Sequence, residues 1–157
     1  MRILSRTSLK TSKKLLIIII ILEVTSFTLF LITGQVVYSV LNSTFSQSGE
    51  IPVKIDEKTN IATLIFNLEP RNDGYISSRT VIGISFTTET GESYRNTTMI
   101  SLQPFTKQIV TLTLKLPAVD LNLYSNGKGS LELSTDINTL NDLIGMNYKV
   151  KVHGGQT

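Results

Sequence analysis

The sequence contains no cysteine and no tryptophan, one histidine and four prolines among 157 residues. Without cysteine the chain cannot form a disulfide, use a thiolate nucleophile or build a cysteine-ligated zinc or iron–sulfur site. An exported domain of this size must therefore be held together by packing alone. The same absences rule out the Cys and Trp pattern of antibody domains.

The sequence also has none of the patterns that mark catalytic or metal sites. Its single histidine, His153, lies near the C-terminus, where we expect a solvent-exposed side chain. Asp120, Asp136 and Asp142 lack the spacing of a calcium loop, and there is neither a glycine-rich phosphate loop nor a Gly-x-Ser-x-Gly elbow. We predict a protein that is not an enzyme, has no cofactor or metal, and is not built for a small-molecule ligand.

Positive charge is concentrated at the N-terminus. The chain has 15 Lys and Arg against 12 Asp and Glu, a net charge of +3. Five basic residues and no acidic residue lie in the first 14 positions, so they account for more than the whole net charge. A nucleic-acid-binding protein carries its positive charge on the folded domain, which excludes that class. The five residues are Arg2, Arg6, Lys10, Lys13 and Lys14.

A long apolar run follows this basic tail (residues 1–14). A helix over residues 15–40 would be about 39 Å long, more than the roughly 30 Å of a bilayer's hydrocarbon core, which predicts a transmembrane helix. The alternative is a cleaved signal peptide, whose basic start and small residue are matched by the tail and by Val37-Tyr38-Ser39. A signal peptide's apolar region is usually only about 7 to 15 residues, so we favour the uncleaved anchor.

The charges flanking the helix predict its orientation. They precede it directly and none follows it directly, so the N-terminus is expected in the cytoplasm and the rest outside, in a single-pass protein of the cell membrane. Two sequons, at Asn42 and Asn96, fall on the predicted outer side and are candidate N-glycosylation sites.

Glu23 is an ionisable residue within the predicted span, where a charge costs several kcal/mol unless it is paired or protonated. At about 100° per residue, Ser26 and Gly34 share its side of the helix. We predict a helix–helix contact through these three residues; the alternative is a protonated or water-exposed carboxyl. The opposite side carries three further polar residues, Thr25, Thr28 and Gln35.

Beyond a polar linker (residues 41–50), the pattern is that of an all-β domain over residues 51–153. Apolar residues recur at every second position between turn residues, which indicates strands. We predict an immunoglobulin-like sandwich of about seven strands with one N-terminal transmembrane helix. The predicted strands are residues 52–57, 60–68, 80–88, 93–102, 108–116, 130–134 and 148–152.

Four local features sharpen this prediction. Residues 60–68 are apolar on both faces and are expected to form a central strand. In residues 108–116 apolar and polar residues alternate, as in a strand with one solvent-exposed face. Asp73-Gly74 predicts a tight turn with positive φ at the glycine. Residues 137–144 are expected to form a short helix.

Two parts of the chain resemble known families. Residues 61–117 resemble late-embryogenesis-abundant type 2, or WHy-like, domains, through Asn67-Leu68-Glu69-Pro70-Arg71-Asn72, Leu102-Gln103-Pro104-Phe105-Thr106 and the strand that Pro117 ends. That resemblance implies a non-catalytic β-sandwich with a structural or interaction role. The basic leader and the aliphatic run containing Glu23 are similar to the start of type IV pilin-like proteins and archaellins.

Two functions are consistent with these features. The first is a structural or protein-interaction role in the cell envelope, where the sandwich is displayed to an extracellular partner. The alternative is an accessory subunit of an integral membrane enzyme complex, which packs through Glu23 and Ser26. Either function predicts two partners, the lipid bilayer and another membrane or envelope protein.

Overall fold

The computed structural model describes residues 5–46 and 51–153, with side chains for residues 13–46 and 51–152. Arg2 and residues 47–50 of the predicted linker lie outside these ranges. Two helices and nine strands are present in the described part of the chain. In order, they are α1 (Ser5–Phe45), β1 (Val53–Asp56), β2 (Ile61–Leu68), β3 (Arg71–Asn72), β4 (Ser78–Thr88), β5 (Ser93–Leu102), β6 (Thr106–Lys107), β7 (Val110–Pro117), α2 (Ala118–Ser125), β8 (Gly129–Thr139) and β9 (Ile144–His153).

The strands form an immunoglobulin-like sandwich, which confirms the predicted fold class. One sheet has the order β1-β2-β7 and the other the order β5-β4-β8-β9, with all neighbours antiparallel. Each of the seven predicted strands has a counterpart in these sheets. The additional strands, β3 and β6, are two residues long and pair with each other outside the two sheets.

The strand pattern of β7 shows how the sequence builds the core. Its even-numbered residues from Val110 to Leu116 are buried and its odd-numbered residues from Thr111 to Lys115 are exposed, as predicted. Strand β2 lies between β1 and β7, which confirms its predicted central position. Because Leu64 pairs with Leu114, the buried rows of β2 and β7 face the same side and together cover the other sheet.

The β8–β9 connection corrects the prediction of a helix over residues 137–144. Strand β8 continues to Thr139, with Ile137 and Thr139 buried, and β9 begins at Ile144. Leu140, Asn141 and Asp142 between them all have positive φ, a left-handed conformation that a right-handed helix cannot contain. The apolar residues in this segment belong to a strand and an exposed turn.

Helix α2 (Ala118–Ser125), like the short strands β3 and β6, was not predicted from the sequence. Asp120 lies in its first turn, where a carboxylate is favoured by the helix dipole. Leu121 and Tyr124, three residues apart, are packed against the core. The Tyr94 hydroxyl of β5 donates a hydrogen bond of 2.7 Å to Asp120 Oδ2, which joins the helix to the second sheet.

The sandwich has two distinct ends. Strand β4 begins, and β5 and β8 end, at what we call the helix end, because α1 contacts the loop before β4 there. We call the opposite end the far end. It carries α2 and three connections whose residues are all exposed, 57–60, 89–92 and 126–128.

The Tyr94–Asp120 hydrogen bond predicts a distinct ionisation. This bond, with burial and the nearby acids, raises the pKa of Tyr94 from 10.0 to about 12. Because the folded-state pKa is raised, the bond stabilises the domain below pH 10 and this stabilisation is lost as the pH rises towards 12. Tyrosinate absorbance should show a late transition that Tyr94→Phe removes. Superimposable titration curves of the two proteins in this range would contradict the prediction.

Candidate functional site: the apolar helix and its junction with the sandwich

The first part of α1 is apolar and bare. Its large apolar side chains from Leu15 to Leu31 are 39 to 71% exposed. The helix over Lys13–Phe45 is long and apolar enough to cross a membrane, with a mean hydropathy of 2.8 over its most apolar 18 residues, and it is the one such helix among the described residues. An apolar surface of this size without a protein partner is typical of membrane contact.

The last three turns of α1 are part of the sandwich. Thr33, Val36, Val40 and Thr44 are buried and, at spacings of three or four, form one stripe along the helix. Val36 and Val40 are fully buried in the main hydrophobic core, where each contributes roughly 1.5–3 kcal/mol. The helix therefore extends beyond the boundary predicted at residue 40. Residues 41–45 of the predicted linker are helical.

Gly74 allows the close approach of the helix. A Cβ atom placed on it would lie 2.3 Å from Val36 Cγ2 and 3.3 Å from Val36 Cα. Gly74 is not among the residues with positive φ, so the predicted turn geometry is wrong. This position requires glycine because the α1 backbone and side chain occupy the space of a Cβ.

Polar side chains of α1 form hydrogen bonds with the backbone of β3 and of Asp73, the residue that follows it. The Gln35 side-chain amide donates to the Asp73 carbonyl at 3.1 Å, Ser39 Oγ accepts from the Asp73 N–H at 3.1 Å, and Ser43 Oγ accepts from the Arg71 N–H at 2.8 Å. Residues four apart on a helix are separated by about 6 Å, close to the roughly 6.8 Å between alternate residues of a strand. The helix thus takes the place of a neighbouring strand along one edge of β3.

Asn72 fixes the loop that receives the helix. Its side chain is fully buried, and its amide donates to the carbonyls of Ile76 at 2.8 Å and Leu102 at 3.2 Å. Its Oδ1 accepts the Gly74 N–H at 2.9 Å. These bonds hold Gly74 in position against Val36.

The predicted helix–helix contact residues all lie on the free surface of α1. Glu23 and Ser26 are exposed in the bare part, and Gly34 is exposed with nothing within 4 Å of a Cβ placed on it. On the opposite side, the hydroxyls of Thr25 and Thr28 donate to carbonyls four residues earlier, at 2.8 Å each. Since Gln35 bonds to Asp73, that polar side is satisfied within the chain. The prediction of a contact through the Glu23 side stays untested.

Both predicted sequons lie in regular structure. Asn42 is in the last turn of α1, and the Thr44 hydroxyl of its sequon is buried and donates to the Val40 carbonyl at 2.7 Å. The Asn96 side chain on β5 donates to the Thr113 carbonyl of β7 at 2.7 Å, joining the edges of the two sheets. Glycosylation of either asparagine stays a prediction.

The remaining candidate residues are placed as follows. Lys13 and Lys14 are exposed on α1, while Arg6 and Lys10 belong to the helix but have side chains outside the described set. His153 ends β9 opposite Ser130. Asp142 pairs with Arg79 at 2.8 Å, away from Asp120 at the far end. Among the side chains that the structure describes, no three acids or histidines gather as a metal site would require.

The fold, together with the contact between α1 and the loop 71–74, defines an immunoglobulin-like sandwich that is continuous with an apolar helix. No protein-family model and no curated protein matches the sequence. Among solved structures, β-glucuronidase from Bacteroides uniformis is similar over 66% of this chain at 12% identity with a TM-score of 0.48, but the match spans only 12% of that chain. Because so little of the glucuronidase is matched, its activity is not transferred to this protein.

Two similar structures are closer in size. A protein from Archaeoglobus fulgidus matches 69% of this chain and 94% of its own, at 9% identity and a TM-score of 0.44. The putative ApaA protein from Bordetella pertussis matches the same shares at 11% identity and a TM-score of 0.41. Similarity this distant carries no information about function. The resemblances to WHy-like domains and to pilin-like proteins stay predictions.

The Gly74–Val36 contact predicts a selective loss of stability. Gly74→Ala should lower the free energy of unfolding by about 1–3 kcal/mol, because the added methyl group overpacks the junction. The matched control is Gly34→Ala, which places its methyl group in open space on α1, the helix that Gly74 approaches. Denaturant unfolding of the full chain in detergent measures both. Equal stability of the two variants would contradict the close approach.

Proposed function

We propose that the protein is a membrane-anchored β-sandwich with a non-catalytic, structural or protein-interaction role in the cell envelope. The observation that carries this proposal is the continuity of α1, whose first part is bare and apolar and whose last three turns belong to the hydrophobic core. A helix that only tethers a domain has no need to be part of its core. The arrangement fits a domain held at a fixed position and orientation on a membrane.

The surface best suited to a protein partner is the open side of the sandwich, formed by the edge strands β1 and β9. The Asn96–Thr113 bond links β5 to β7, so the strand orders place β1 and β9 together at the other side. Two of their inward-facing residues are exposed, Ile55 at 57% and Met146 at 44%, whereas Tyr148 packs edge to face on Phe45 at the end of α1, with ring centroids 5.1 Å apart. Unpaired strand edges beside apolar side chains fit an extended polypeptide that adds a strand.

The orientation in this proposal follows from the charge distribution. Lys13 and Lys14 immediately precede the bare apolar segment. No charged residue follows this segment on α1, and in the loop 71–74, which contacts α1, Arg71 pairs with Asp73. The positive-inside rule then assigns the N-terminus to the cytoplasm and the sandwich to the outer side.

The second candidate function is that of an accessory subunit in an integral membrane complex. Glu23 favours it, because it is exposed on the bare part of α1 and a charge in lipid is costly. By helical geometry Gly34 lies within about 20° of Glu23 around the axis, which leaves one continuous face for a neighbouring helix.

Anchoring is tested by extracting membranes at alkaline pH. The chain should stay in the membrane pellet, and mass spectrometry should show that residues 1–40 are still present. Protease added outside intact cells should digest the sandwich. Ile18→Lys and Leu22→Lys together should release the chain, because each lysine raises the free energy of membrane insertion by about 2.5–3.5 kcal/mol. A soluble product that lacks the N-terminal residues would show a cleaved signal peptide and end the proposal.

Co-purification in mild detergent distinguishes the two functions. If the sandwich recruits an envelope protein, Ile55→Lys with Met146→Lys should abolish its recovery, while Glu23→Leu should not. If the helix recruits an enzyme or transporter subunit, Glu23→Leu should abolish recovery of that subunit, while Ile55→Lys with Met146→Lys should not. Val119→Lys is the matched control, because Val119 is equally exposed, at 57%, but lies at the far end.

A further inference from the structure

The two ends of the sandwich differ in the chemistry of their loops. At the far end, connections 57–60, 89–92 and 126–128 contain charged and polar residues and glycine only. At the helix end, four connections each expose a large apolar or aromatic side chain. These are Tyr75 at 65% exposure, Phe105 at 63%, Ile109 at 76% and Leu143 at 84%.

The exposed residues of the helix end belong to separate connections that the fold gathers at one place. Tyr75 follows Gly74 before β4, Phe105 precedes β6, Ile109 precedes β7 and Leu143 precedes β9. The rings of Tyr75 and Phe105 stack edge to face with centroids 5.2 Å apart. Single exposed apolar residues are ordinary on a protein, but one on each of four connections at the same end forms a surface.

The backbone at Phe105 strengthens this interpretation. Its φ is +57°, a left-handed conformation that is unfavourable for a bulky side chain. The loop therefore holds a phenyl ring out in the solvent in a strained conformation. Strain of this kind is usually retained where the displayed side chain has a function.

The geometry of α1 indicates what covers this surface. Starting from Leu15, about 30 Å of helix, the thickness of the hydrocarbon core, ends near Gly34. The loop before β4 touches the helix at the next residues, since Gln35 bonds to Asp73 and Val36 contacts Gly74. The helix end thus lies at the level where the helix leaves the hydrocarbon.

Charge at the helix end is compatible with this position. Three ion pairs lie there, Arg71 with Asp73, Arg79 with Asp142 and Lys107 with Glu69. Each basic side chain has an acidic partner, so the surface is close to neutral. Tyrosine and other amphipathic aromatic residues are enriched at the membrane interface, and Tyr38, 71% exposed on α1, adds one at the same level.

We propose that the helix end of the sandwich is a second membrane-contact site, in which Tyr75, Phe105, Ile109 and Leu143 enter the interfacial layer of the bilayer. The proposal rests on the membrane anchoring proposed above. The partner is lipid, at the boundary of headgroups and acyl chains. The contact sets the sandwich upright on the membrane, with its open side and far end free.

Because the protein has no tryptophan, one introduced tryptophan reports its own surroundings. Full-length Phe105→Trp, reconstituted in phosphatidylcholine vesicles, should emit at shorter wavelength than in water and lose emission when the lipids carry bromine at the headgroup end of their acyl chains. Phe30→Trp, in the bare helix, should be quenched by bromine deeper in the chains. Val119→Trp, at the far end, should keep the emission of exposed tryptophan.

The outcomes separate this inference from the anchoring on which it rests. If Phe30→Trp is quenched but Phe105→Trp emits like Val119→Trp, the lipid contact is overturned and the anchor stands. If Phe30→Trp is not quenched, the anchor itself is overturned. A short-wavelength Phe105→Trp emission that bromine does not quench would mean that protein, such as a second copy, covers the loops. Quenching at Val119→Trp would contradict the upright position.

Discussion

The contact between the last three turns of α1 and the loop 71–74 is the constraint on which the rest of the structure depends. Val36 lies directly against Gly74, Asn72 holds that loop from inside the core, and serines of the helix satisfy the β3 backbone. The buried valines alone represent several kcal/mol, comparable with the net stability of a small domain. Helix and sandwich therefore pack as one unit, and in the proposed anchoring the position of the bare segment determines where the sandwich lies on the membrane.

Sequence patterns predicted the sandwich well because each signal was local. The alternation in residues 110–116 and in residues 61–68 reflects burial on one face, and proline or glycine marks the strand ends. Helix α2 was missed because eight residues are too few to show a helical period. The error at residues 137–144 had the same cause, since a short apolar segment does not by itself distinguish a strand from a helix.

The junction could not be predicted because its causes are not local. Asp73-Gly74 has the composition of a tight turn, but the glycine is needed by Val36, 38 positions earlier in the chain. Residues 32–40 read as the end of the apolar run and residues 41–45 as the start of a polar linker, so the composition gives no sign that residues 33–44 pack into the sandwich. A signal was present in the spacing of Thr33, Val36, Val40 and Thr44, which follows one face of a helix.

The central claim is that anchor and sandwich form one rigid body, and it can be measured directly. The chain has no cysteine, so Leu22→Cys with Val119→Cys introduces the only two sites for spin labels, one on the bare helix and one at the far end. Distance measurement by pulsed electron paramagnetic resonance in nanodiscs should give one narrow distribution. A broad distribution, as a flexible linker between helix and domain produces, would contradict the claim.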